Sequence, residues 1–107
     1  MSVQALAFVF ADLDGWCRTA GCESPTGMNR LVLLSIANHA GKDGANAWPS
    51  VATIAAEANC STKTVKRALA WLEDRSIIRR EINRGGLPEH AADRRPNRYT
   101  ILAMQSD

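Results

Sequence analysis

Ser50 and Ser61 each stand before a run of apolar residues at helical spacing, and Asn59-Cys60 lies between the end of the first run and the second serine. After Ser50 the apolar positions are Val51, Ile54, Ala55 and Ala58; after Ser61 they are Val65, Ala68, Leu69 and Leu72. Serine caps helix N-termini because its side-chain oxygen accepts a bond from a backbone N–H of the first turn. Asparagine tolerates the left-handed conformation that ends many helices. The pattern therefore predicts a helix over 51–58, a turn at Asn59, and a second helix from Thr62 to about Arg75. Ala55 falls where the two helices approach and only a small side chain fits. Cys60 is a small apolar plug, and Val65 and Ala68 close the core beneath the second helix. The chain can satisfy these constraints together only as two short helices held at a fixed angle.

The flanking segments complete a small domain. Met28–Ala40 is apolar on most sides, with Pro25 and Thr26 as start signals and Gly41 as a stop, and is expected to be the central buried helix. Lys42–Ala47, with Asp43-Gly44 and Asn46, reads as a turn. At the N-terminus, Val3, Leu6 and Phe10 fit an amphipathic helix over 2–13, with a short strand as the competing reading. Asp14–Gly27 reads as a connecting loop into which that helix can run as far as Trp16. Ile77–Ile82 and Asn97–Leu102 have the β-branched and alternating character of paired strands, with Gly85-Gly86 at the tip of the hairpin between them. The fold class expected is mainly α with a small β-hairpin. It forms one domain over 1–107, with an N-terminal extension over 1–25 and a core over 26–103.

Charge is distributed unevenly. Residues 61–100 hold ten of the thirteen Lys and Arg, although the formal net charge is only +2. Such an asymmetry points one surface at a polyanion, the alternative being a solvated face. No apolar run approaches the ~18 residues of a membrane helix, and the first residues lack the pattern of a secretory signal, so a cytoplasmic protein is expected. Cys17, Cys22 and Cys60 form no CxxC pair, and reduced thiols are expected.

Two short helices across a tight turn, the second opening with small polar and basic residues, form the geometry in which one helix enters the DNA major groove while the other braces it. Here the sequence resembles the winged helix-turn-helix domains of bacterial, phage and plasmid DNA-binding proteins, which include replication initiators and small regulators. The resemblance covers about residues 26–103. It runs through Leu31–Ala40, the 47–56 segment with its Trp48-Pro49-Ser50, Ser61–Leu72, Ile77–Arg80 and the Asn97-Arg98-Tyr99 strand. It departs at Asn59, where Gly is commonest, and in the length of 14–27.

The resemblance implies a recognition helix bearing Thr62, Lys63, Thr64, Lys66 and Arg67, capped by Ser61, and a wing over 84–98. Thr62, Lys63 and Thr64 suit base edges, while Lys66, Arg67, Arg84, Arg94, Arg95 and Arg98 suit phosphates or the minor groove. The function expected is sequence-specific binding of double-stranded DNA in transcriptional regulation. An accessory role in phage or plasmid replication, partition or excision is the alternative, and a protein-interaction module the second. The N-terminal helix or the Trp71 region could pair two copies, although core packing is the plainer role for Trp71.

Cys17, Cys22, His39, Cys60 and His90 raise the rival of a metal or redox sensor, but the Cys17–Cys22 spacing is loose for a ligand set. No cofactor and no metal are expected. Nor is an enzyme, since the sequence has no phosphate-cradling glycine loop, no HExxH and no GxSxG.

Overall fold

The computed structural model describes residues 3–82, 84–86 and 96–105. Its elements are α1 (Val3–Ala7), a π-helical turn (Phe8–Asp12), α2 (Leu13–Ala20), α3 (Gly27–His39), α4 (Val51–Ala58), α5 (Thr62–Asp74), β1 (Ile78–Glu81), β2 (Arg98–Ile101) and a 3-10 helix (Leu102–Gln105).

The first three elements form one continuous rod whose buried side chains explain the π-turn. Ala5, Val9, Leu13 and Cys17 recur every fourth residue, and all have 0% exposure. Four residues of α-helix overshoot a full turn by ~40°, so three such steps would carry the stripe ~120° around the rod and off its neighbour. A wider turn, marked by the bond from Leu13 N–H to the Phe8 carbonyl, takes up more residues and pulls the stripe back into line. Arg30 of α3 locks this arrangement. Its guanidinium donates to the Val9 carbonyl at 2.6 Å, to Asp14 at 3.0 Å and to the Pro25 carbonyl at 3.3 Å. The rod thus packs on α3 as part of the single core.

This corrects the expected loop over 14–27. Gly, Cys and Thr in 15–22 suggest a loop by composition, yet Leu13 and Cys17 continue the buried face and hold the helix to Ala20. The Val3–Ala7 segment is helical, which removes the strand alternative.

Helix α3 is the central strut, packed against α4, α5 and the rod through Val32, Leu33, Ile36 and Ala37, all at 0% exposure. Both serine caps form as expected. Ser50 Oγ accepts from Thr53 N–H at 3.0 Å, and Ser61 Oγ accepts from Thr64 N–H at 3.1 Å. Asn59 is left-handed, with φ 55° and ψ 53°.

Strands β1 and β2 pair antiparallel, with Ile78 opposite Ile101 and Glu81 opposite Arg98. On the other edge of β2, Ala47 exchanges backbone bonds with Tyr99, and Ile101 N–H donates to the Gly44 carbonyl at 2.8 Å. The segment between α3 and α4 therefore acts as a third strand one residue long. It ties the start of the helix-turn-helix to the hairpin, and Tyr99 is buried between them at 1% exposure.

The hairpin neck also differs from expectation. Gly85 lies beside the strands: its N–H donates to the Pro96 carbonyl at 2.9 Å. A Cβ at Gly85 would collide with the Cβ of Trp48 and stand 3.1 Å from the carbonyl oxygens of Pro96 and Asn97. Glycine is used here for close approach, as the floor on which Trp48 rests.

Candidate nucleic-acid interface

Helix α5 divides lengthwise. Val65, Ala68, Leu69 and Leu72 are buried, while Thr62, Lys63, Lys66, Arg67, Ala70 and, at the last position, Asp74 are exposed. At ~100° per residue the exposed set spans about 140°, one continuous outer face. Glu73–Arg80 at 3.0 Å ties the helix to β1. Its far end is held by Arg75, which stacks over the Trp71 ring at 3.9 Å and meets Glu23 at 3.6 Å. Trp71 is half-buried against the core and closed over by Arg75.

Brace helix α4 is fixed to α3 by a polar clamp. Ser35 Oγ donates to Glu57 at 2.7 Å, and His39 Nε2 lies 2.8 Å from the other carboxylate oxygen. Burial pushes the Glu57 carboxyl up, but the bonds from Ser35 and His39 outweigh it and hold the group below its ordinary range.

The cations fall into two sets. Arg30, Arg75, Arg79, Arg80 and Arg98 each have an acidic neighbour. Arg98 is the most committed, donating to both oxygens of Glu81 at 3.1 and 2.9 Å. That pairing holds the Glu81 carboxyl below its usual range and raises the Arg98 guanidinium. Lys63, Lys66 and Arg67 on the outer face of α5, and exposed Arg84 at the hairpin neck, make no ion pair among the described residues. Arg18 and Lys42 are likewise unpaired but lie on other elements. Arg94, Arg95 and His90 lie outside the described residues.

The unpaired set on α5 is locally unfavourable. Lys63 and Arg67 are like charges at i, i+4, and Lys63 and Lys66 at i, i+3, costing about 0.2–0.5 kcal/mol per pair. The first turn contains no acid. A cation there opposes the helix dipole, an effect of about 0.3–1 kcal/mol. A polyanion laid along the face removes both penalties.

Two of the residues expected to contact DNA serve the cap itself. Ser61 Oγ and Thr64 Oγ1 are 3.0 Å apart, and Ser61 Oγ also accepts from the Thr64 N–H. Thr62 and Lys63 stand clear at the first turn.

Trp48 and Ser50, singled out in the sequence without a role in binding, line a pocket of about 450 Å³ together with His39, Pro49, Thr53 and Pro96. It lies between the start of α4 and the hairpin neck. No local sequence signal announces it, because it exists only when residues 48 and 96 are brought together. Among the described residues no group of three or more His, Cys, Asp or Glu could hold a metal ion. No helix there is long and apolar enough to cross a membrane.

Two helices across a left-handed turn, braced by a third and followed by an antiparallel hairpin, define a winged helix-turn-helix, a DNA-binding architecture. Residues 26–78 match the family model described as a helix-turn-helix domain, consistent with a DNA-binding helix-turn-helix family. No curated protein and no solved structure gives a significant match to the chain.

Proposed function

We propose that the protein is a sequence-specific double-stranded DNA-binding regulator that places the outer face of α5 in the major groove. The carrying observation is the set Lys63, Lys66 and Arg67. They share one exposed face near a helix N-terminus without acidic partners, while the arginines of the hairpin strands are paired. Thr62 and Lys63 read base edges; Lys66, Arg67 and Arg84 contact phosphates. Arg94 and Arg95 belong to the same wing contact, to backbone or minor groove. Arg98 acts through Glu81, as a strut across the hairpin. Ser61 and Thr64 act through the cap, which sets the pitch at which α5 presents Lys63. No catalytic step is part of this function, which works by occupying DNA.

Selection from a random-sequence duplex pool across a salt series tests this reading. Wild type should enrich a motif. Lys63→Ala should relax one position of it at a cost of about 1–3 kcal/mol, and Lys66→Ala should weaken all sequences alike and flatten the salt slope by about 0.9. Absence of salt-dependent binding even at low ionic strength refutes it and returns the basic face to a protein partner.

A further inference from the structure

Cys17 and Cys22 are five positions apart, an unpromising interval in a sequence, and the end of α2 folds them together. The rod closes in a Schellman turn, with Gly21 left-handed at φ 76°, Gly21 N–H donating to the Arg18 carbonyl and Cys22 N–H to the Cys17 carbonyl at 3.0 Å. In this motif the residue after the glycine lies back over the last turn, and the two ends of the longer hydrogen bond usually meet through apolar side chains. Here both ends are cysteines. Cys17 is fully buried; Cys22 is half-buried and packs against the same core. The turn thus sets the two thiols side by side at the edge of the core, where Cys22 acts on the ionisation of Cys17.

We propose that Cys17 and Cys22 form a reversible thiol–disulfide site, oxidised by exchange with a low-molecular-weight disulfide. The accessible Cys22 sulfur, as thiolate, attacks one sulfur of that disulfide. The old S–S bond breaks, and the departing thiolate takes up a proton, leaving a mixed disulfide on Cys22. Cys17 then gives its proton to solvent and attacks the Cys22 sulfur, expelling the second small thiol. Two protein thiols lose two electrons, and one small disulfide becomes two thiols. The order follows from access and ionisation: burial and the neighbouring thiol push Cys17 up to about 11, which makes it the resolving sulfur rather than the attacking one. Cys60 lies on a different element, at the turn between α4 and α5.

The bridge would brace the turn next to Glu23, which reaches Arg75 at the far end of α5. The site stands whether or not the outer face of α5 binds DNA.

The test equilibrates the full chain, under native conditions, with oxidised and reduced glutathione over a range of ratios. The sample is quenched in acid, then alkylated, with intact mass and peptide mapping as readouts. The expected product has lost two hydrogens, carries a Cys17–Cys22 bridge, keeps one alkylatable thiol at Cys60, and unfolds at higher denaturant than the reduced form. A reducing agent reverses it. Cys60→Ser should leave the bridge intact, and Cys22→Ser, at the half-buried position, should abolish it. Persistence of three free thiols at every ratio, a stable glutathione adduct without closure, or a bridge that uses Cys60 overturns the proposal.

Discussion

Gly85→Ala is expected to be far more damaging than its position next to a hairpin suggests. The added methyl has no place to go: it meets the Cβ of Trp48, and the carbonyl oxygens of Pro96 and Asn97 lie at 3.1 Å. None of these is the loose end of a flexible side chain, so backbone must move. Overpacking of this kind costs about 1–3 kcal/mol. The movement also breaks or lengthens the 2.9 Å bond from Gly85 N–H to the Pro96 carbonyl, worth about 1 kcal/mol. The combined loss of about 2–4 kcal/mol is a large part of the about 5–15 kcal/mol that holds a domain folded. At a urea dependence of about 2 kcal/mol per molar, the middle of the usual range, the unfolding midpoint should fall by about 1–2 M. Urea titration by circular dichroism measures this directly. Trp48→Gly, which removes the opposing Cβ, supplies the control: with both substitutions the penalty should be smaller than the sum of the two. A midpoint equal to that of wild type, or strict additivity in the double variant, would refute the account of the neck as a close-packed junction.

Leu13→Ala should cost about 2–5 kcal/mol in the same titration, since Leu13 is fully buried between the rod and the core; a loss below about 0.5 kcal/mol, typical of a surface change, would make the rod peripheral. Ser61→Ala should cost about 1 kcal/mol through the lost cap, and an unchanged melting temperature would mean that Thr64 finds another acceptor. Glu57 supplies a pH prediction. Its folded carboxyl lies below the ordinary value of 4.5, so its contribution is complete above that value and is lost as pH falls through the lowered one. Glu57→Gln should flatten the acid limb of a stability–pH curve. A limb identical to wild type would assign the acid loss to Asp14 and Glu81, which are also held low by arginine neighbours.

The helix-turn-helix was legible in the sequence because its signals are local. Ser50, Asn59 and Ser61 each act on backbone within three or four positions of themselves, so spacing alone located both helices and the turn. The features that escaped depend on segments far apart in the chain. The 14–20 segment reads as a loop until Arg30 and α3 are in place beside it, and Ala47 pairs as in a sheet only because Tyr99 reaches it. The pairing of Arg98 with Glu81 escaped as well, because it is set by strand register and not by sequence proximity. For the candidate interface the residue types were legible, while the division into paired and unpaired cations required the tertiary fold. The same is true of Cys17 and Cys22, whose interval gains meaning only from the left-handed Gly21.

The π-turn over Phe8–Asp12 has a consequence for how this arm tolerates insertions and deletions. It amounts to one residue inserted into a helix. Deleting any one of the five would restore a regular α-helix in which the buried residues follow at intervals of four, three and four, a spacing that keeps them within about 60° on one face. Leu13 and Cys17 would still face the core, whereas the same deletion made in the α-helical stretch between them would turn Cys17 by about 100°. Point substitutions on the exposed side of the arm should be well tolerated. The turn is the place where the arm can lose one residue without losing the phase of its buried face.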